Sequence, residues 1–259
     1  MIVEPLHISS RDNPLLVRLR KALHDPAAYR KSGLVWIEGE HLCEAWRARG
    51  QAVREAIYSE SGYGRPALQA LGQGAGRLVV LPDALFASVS GLESPAGVGF
   101  VVDLPLVSAL QSGVDTVVLD RLQDPGNVGS ILRSAAAFGV RQVVALKGTV
   151  ALWSPKVLRA GMGAHFGLRL LEGMQLEDLA ALAVPLLATS SHAGQSLCDV
   201  RLPRPAAWVL GHEGQGVQPA LLQRCAMTLR IPQPGGEESL NAAAAAAICL
   251  YEGARQAGA

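Results

Sequence analysis

Apolar positions follow two rhythms along the chain. Leu15, Leu16, Leu19 and Leu23 recur at helical spacing behind Asp12-Asn13-Pro14, where a cap-type residue precedes a proline, and this predicts a helix start. Short apolar runs at 34–37, 56–58, 78–81 and 98–102 end in turn residues and read as strands, with a helix at 39–49 closing on Gly50. Five runs follow in the second half, at 116–119, 142–146, 185–188, 207–210 and 227–231. They are continuous rather than alternating, as parallel strands buried on both faces should be. Helices are expected between and after them at 128–138, 154–162, 176–182, 219–224 and 241–256. The pattern predicts an α/β protein: a smaller α/β domain at 1–103, a linker at 104–113, and a larger domain at 114–259. That larger domain would hold a mostly parallel sheet with helices on both faces.

Composition narrows the class. The chain has 259 residues, 49% hydrophobic and 17% charged, which excludes a disordered chain. No apolar run approaches the ~20 residues that span a bilayer. The first ten residues carry an acid and a proline without an apolar core, so no secretory signal is expected. Cys43, Cys198, Cys225 and Cys249 are far apart, with no Cys-x-x-Cys and no paired histidines. This pattern favours reduced thiols in the cytoplasm over disulfides, and no metal site. The net charge is +1, but six basic residues face two acids between Arg11 and Lys31, and seven face one between Arg121 and Arg169. Such stretches suit a polyanion and equally suit a solvated helix face.

Three strand-to-loop junctions carry more polar and glycine residues than turns require. In the first, Leu119–Arg133, Asn127 is placed as a helix cap. Gly129, Ser130 and Arg133 share one helix face, leaving room for a guanidinium fork aimed at a phosphate or an ionised oxygen. A capped helix with one surface arginine explains the same residues. The second, Gly211-His-Glu-Gly-Gln-Gly216, directly follows an apolar strand. It is neither a dinucleotide fingerprint nor a Walker loop, and Glu213 at its centre is poorly suited to cradling phosphate. The third runs from Ile231 to Asn241 into six consecutive alanines, where Ser239 or Asn241 can cap a thin, closely packed helix.

Together, Asn-x-Gly-x-x-x-Arg, Gly-x-Glu-Gly-x-Gly and Ile-Pro…Glu-Ser-Leu-Asn closely resemble the SpoU/TrmH family of RNA 2′-O-ribose methyltransferases. The likeness is strong over 114–256. Ser10–Pro14 and Trp36–Glu40 are similar to the RNA-binding α/β domain that many members carry in front. The resemblance implies a deep trefoil knot in the catalytic half, a homodimer with the active site completed across the interface, and S-adenosylmethionine as cofactor. It implies cofactor contacts at Thr189, Leu210, Gly211, Gly216, Ile231 and Leu240. It assigns the ribose hydroxyl to Arg133, held in register by Asn127, Glu213, Ser239 and Asn241. Arg11, Arg18, Lys21, Arg30 and Lys31 are the candidates for RNA phosphates. No metal is implied, and rRNA is favoured over tRNA as substrate. Ala96 and Ala242-Ala243 depart from residues common in the family, leaving the catalytic positions intact. Two other readings remain beside this one: a nucleotide-dependent enzyme acting on a small molecule, and a non-catalytic RNA-binding protein of the same fold.

Overall fold

The computed structural model describes residues 4–107, 109–235 and 240–258. The chain divides into two compact units, the first up to Leu106 together with Trp153–Phe166, the second Val107–Leu152 with the remainder from Gly167. The segment 153–166, which the sequence pattern assigns to the larger domain, therefore clusters with the first unit.

The first unit runs β1 (Leu6–His7), α1 (Pro14–His24), α2 (Ala28–Ser32), β2 (Leu34–Glu38), α3 (Glu40–Arg47) and β3 (Glu55–Ser59). It continues through α4 (Glu60–Tyr63), α5 (Pro66–Leu71), β4 (Arg77–Leu81), α6 (Asp83–Ala87) and β5 (Val98–Asp103). Its five-stranded sheet has the order β1-β4-β3-β5-β2, with β5 antiparallel to both neighbours. The expected cap of α1 is present: Asn13 accepts the Leu15 N–H at 2.9 Å, with Pro14 at the first helical position. Leu15, Leu16 and Leu19 bury one face of α1 in a core with Trp36, Ile57, Val79, Phe86 and Val101. Gly99 is required by close approach, since a Cβ there would lie 2.1 Å from the Trp36 ring. The 153–166 segment is seated by Phe166, edge-on to Trp46 at 5.0 Å, and by the Trp153 N–H, which donates to the Tyr29 hydroxyl at 3.4 Å.

The second unit contains β6 (Thr116–Asp120), α7 (Pro125–Ala137), β7 (Gln142–Leu146), β8 (Arg169–Met174), β9 (Leu186–Thr189) and β10 (Gln195–Ser196). It ends with β11 (Ala207–Gly211), α9 (Pro219–Leu222), β12 (Met227–Arg230) and α10 (Ala242–Gln256); α8 (Pro155–Gly161) belongs to the first unit. Seven strands form an entirely parallel sheet in the order β10-β12-β9-β11-β6-β7-β8. Every residue of β6 and β7 is buried, the physical reason their runs are continuous. The chain steps outward from β6 through β7 to β8, then returns on the other side of β6. Ligand sites in such sheets gather at that switch, beyond the carboxyl ends of the strands.

One local expectation is corrected. Helix α7 starts at Pro125 and is capped by Asp124, whose carboxylate accepts the Asn127 N–H at 2.7 Å. Asn127 therefore lies inside the first turn, leaving its side chain free for other work.

Candidate active site

Sheet register brings the three junctions together. Leu119 pairs with Leu210 and Asp120 with Gly211 at the carboxyl ends of β6 and β11, while Leu229 pairs with Thr189 at those of β12 and β9. The loops leaving these four adjacent strands surround a cavity of about 650 Å³. Its wall contains Thr189, Leu210, Gly211, Gly216, Ile231 and Leu240, and also Asn127, Glu213 and Asn241.

The glycine-rich turn is tight. His212 and Gly216 exchange two backbone hydrogen bonds, of 3.0 and 2.8 Å. A Cβ on Gly211 would lie 2.2 Å from both the Gly216 carbonyl carbon and the Val217 nitrogen, so only glycine fits. Inside the turn, His212 Nδ1 accepts the N–H groups of Gly214 and Gln215 at 3.0 and 3.3 Å.

Glu213 leaves the turn and reaches the start of α7. Its carboxylate accepts the N–H groups of Gln123 at 3.1 Å and Asp124 at 3.0 Å, and the Asn127 amide at 3.2 Å. Partial burial opposes its ionisation, but these donors outweigh that and hold the Glu213 carboxyl below its ordinary pKa. Asn127 Oδ1 in turn accepts from Asn241 Nδ2 at 2.8 Å, and Asn241 Oδ1 caps α10 by accepting from Ala243 and Ala244 at 2.9 and 3.2 Å. A carboxylate can only accept and helix N–H groups can only donate. The two ends of the chain Glu213–Asn127–Asn241–α10 therefore fix both amide orientations between them.

Arg133 is not brought into this cavity. It is exposed on α7, about 9 Å further along the helix than Asn127, and its guanidinium has no partner among the described residues. Ser239 lies outside the described residues. Sequence reasoning missed Gln233, in the cavity wall, whose buried Oε1 accepts no hydrogen bond from the described residues. It also missed Arg121 and Gln215, whose side chains meet at 3.1 Å beside the glycine-rich turn.

In the first unit, Arg18, Lys21 and Lys31 line a separate cleft of about 250 Å³ whose walls include Leu19, Leu34 and Trp36. Arg18 is partly committed, pairing with Glu55 at 2.5 Å, and Glu55 also binds Arg77 at 3.2 Å. Arg30 lies over the Tyr29 ring at 5.7 Å, and Arg11 is exposed. Among the described residues no group of His, Cys, Asp and Glu could hold a metal ion, and no helix is long and apolar enough to cross a membrane.

Comparison with known proteins fits this geometry. An uncharacterized tRNA/rRNA methyltransferase of Synechocystis sp. is 34% identical over 96% of this chain and 93% of its own length. The 23S rRNA (guanosine(2553)-2′-O)-methyltransferase RlmP of Bacillus subtilis is 30% identical over 89% of this chain and 92% of its own. Among solved structures, an RNA 2′-O ribose methyltransferase superposes with a TM-score of 0.82 at 30% identity, covering 98% of this chain and all of its own. The SpoU methyltransferase AviRb of Streptomyces viridochromogenes, solved with its cofactor AdoMet, shares the fold with a TM-score of 0.86 at 24% identity, over 95% and 99% of the two chains. The family model described as SpoU rRNA Methylase matches residues 115–251, the stretch that builds the parallel sheet and the cavity. With more than half its length in that match and full-length relatives beside it, this chain belongs to the SpoU rRNA methylase family.

Proposed function

We propose that the protein transfers a methyl group from S-adenosylmethionine to a ribose 2′-hydroxyl of RNA, with rRNA as the substrate class. The observation that carries this reading is the single cavity into which the glycine-rich turn, the start of α7 and the cap of α10 converge, joined by the Glu213–Asn127–Asn241 chain. The wall suits the cofactor. Gly216 leaves open space beside the backbone for a ligand, Gly211 lets the turn fold tightly on itself, and the unpartnered Gln233 Oε1 is an acceptor for an amino or hydroxyl donor. Thr189, Leu210, Ile231 and Leu240 complete the contacts.

Bound there, the cofactor supplies an electrophilic methyl on a sulfonium whose leaving group is a neutral thioether. The protein's task is alignment and stabilisation of charge on the attacking oxygen. A guanidinium stays protonated, so Arg133 acts as a fixed cation beside the developing alkoxide rather than as a base, and the hydroxyl proton leaves through the adjacent RNA phosphate to water. Asn127, Glu213 and Asn241 hold the loops that present the ribose.

Arg133 reaches this role in a homodimer. It lies in an exposed stripe of α7, Gly126, Ser130, Arg133 and Ala137, at helical spacing. Helix α10, packed on α7 through Phe138 and Tyr251, presents Ala244, Ile248 and Tyr251 in a matching stripe. Together these stripes offer an apolar, small-residue face for a second copy, whose Arg133 would complete the site. The knotted threading belongs to the same proposal, supported by the likeness to solved structures of the family. Arg11, Arg18, Lys21, Arg30 and Lys31 are assigned to RNA phosphates.

The test is Arg133→Ala. Affinity for S-adenosylmethionine by calorimetry should be retained while methyl transfer to RNA collapses; near-normal turnover would refute the assignment.

A further inference from the structure

We propose that Arg121 is a positioning residue which ties the tip of the glycine-rich turn to buried Asp120, and so holds the wall of the cavity in its binding shape. This rests on the cavity being the cofactor site. Arg121 directly follows β6 with φ +59°, a left-handed conformation that glycine adopts without strain and arginine does not. The surroundings enforce it. Its N–H is accepted at 3.1 Å by Thr149 Oγ1, which itself donates to the Leu119 carbonyl at 3.0 Å, and its side chain lies against Gly148, where a Cβ would sit 3.2 Å from Arg121 Cγ.

This backbone turns the guanidinium onto two targets. Nε and Nη2 donate to the Asp120 carboxylate at 3.0 and 3.4 Å, and Nη1 donates to Gln215 Oε1 at 3.1 Å. Asp120 is fully buried and also takes the Gln218 backbone N–H at 2.7 Å and its side-chain amide at 2.8 Å. Gln215 and Gln218 flank Gly216, so one buried carboxylate, reached directly and through Arg121, fixes the chain on both sides of that glycine. Glu213 anchors the same turn to α7, and His212 braces it from within. With Nε, Nη1 and Nη2 all engaged inside the protein, Arg121 acts on the cavity through Gln215 rather than by touching substrate.

Arg121→Gly tests this, because glycine relieves the backbone and removes only the ties. Hydrogen exchange of the free protein should speed up about tenfold across 211–218, beyond any change in other segments that the loss of buried Asp120's cationic partner brings. The Kd for S-adenosylmethionine should rise about tenfold. Gln215→Ala should reproduce both effects alone and add nothing in the Arg121→Gly background. Exchange and affinity within twofold of wild type, or additive effects of the two substitutions, would overturn the assignment. Wild-type protein that fails to bind the cofactor would instead remove the functional reading, while the exchange arm still decides whether Arg121 holds the turn.

Discussion

Asn241 does two jobs that substitution can separate. It caps α10 through Oδ1 and orients Asn127 through Nδ2. Asn241→Ala removes both. Loss of an N-cap costs about 1 kcal/mol, and loss of a solvent-reachable amide–amide hydrogen bond adds about 0.5–1 kcal/mol. The variant should therefore unfold about 1.5–2 kcal/mol more easily in urea. Asn241→Asp keeps an excellent cap, and its charge is favoured at a helix N-terminus. It loses only the donor. Asn127 cannot turn its amide to compensate, because Nδ2 is already given to Glu213. Stability should then stay within about 1 kcal/mol of wild type, while cofactor binding by calorimetry and methyl transfer to RNA both fall. If Asn241→Asp retains wild-type affinity and turnover, the directional chain from Glu213 to α10 does not position the site. If Asn241→Ala is no less stable than Asn241→Asp, the capping argument fails as well.

Gly211→Ala forces a methyl group to 2.2 Å from the Gly216 carbonyl carbon, so the turn must open; cofactor binding should vanish in calorimetry while circular dichroism shows a folded protein. Glu252 is held at a pKa of about 2 by hydrogen bonds from Arg255 and Gln256, which outweigh the opposing desolvation. A carboxyl lowered on folding stabilises above its unfolded pKa and loses that contribution as pH falls through the folded one. Between about pH 4.5 and 2, Glu252→Gln should thus flatten the acid dependence of stability. Replacing Lys21 and Lys31 by Glu should weaken RNA binding in filter assays, lower the salt slope by about 1 for each phosphate no longer neutralised, and leave cofactor affinity unchanged.

Much of the second unit was legible because burial on both faces writes itself as unbroken apolar runs. That signal is present in β6, β7, β9 and β11. Strand β8 escaped because Arg169, Glu172 and Gly173 interrupt it, and its pairing with β7 carries a register shift near Val144. Strands β1 and β10, of two residues each, have no periodicity to read, nor do α2, α4 and α6. The start of α7 was readable: Asp124-Pro125 is the same cap-before-proline signature as Asn13-Pro14. The site was legible only as a conjunction of motifs. Asp-Arg directly after an apolar run is a signal that could have pointed to Asp120 and Arg121, but a positive φ leaves no trace when the residue is not glycine. Arg133 shows the converse case, a motif position that its own chain's cavity does not use.

The seating of Trp153–Phe166 in the first unit bears on how the protein can be dissected. Tyr29, Trp46 and the 90–91 turn grip this passage: the Tyr29 hydroxyl accepts the Trp153 N–H, Phe166 stacks edge-on to Trp46, and Arg159 donates to the Gly91 carbonyl. A cut near residue 106 would strip those partners from a stretch embedded between β7 and β8. The excised fragment would carry bare tryptophan and phenylalanine into solvent, a recipe for aggregates. Chimeras that exchange the front module between homologues must therefore graft two non-contiguous pieces of sequence as a single unit.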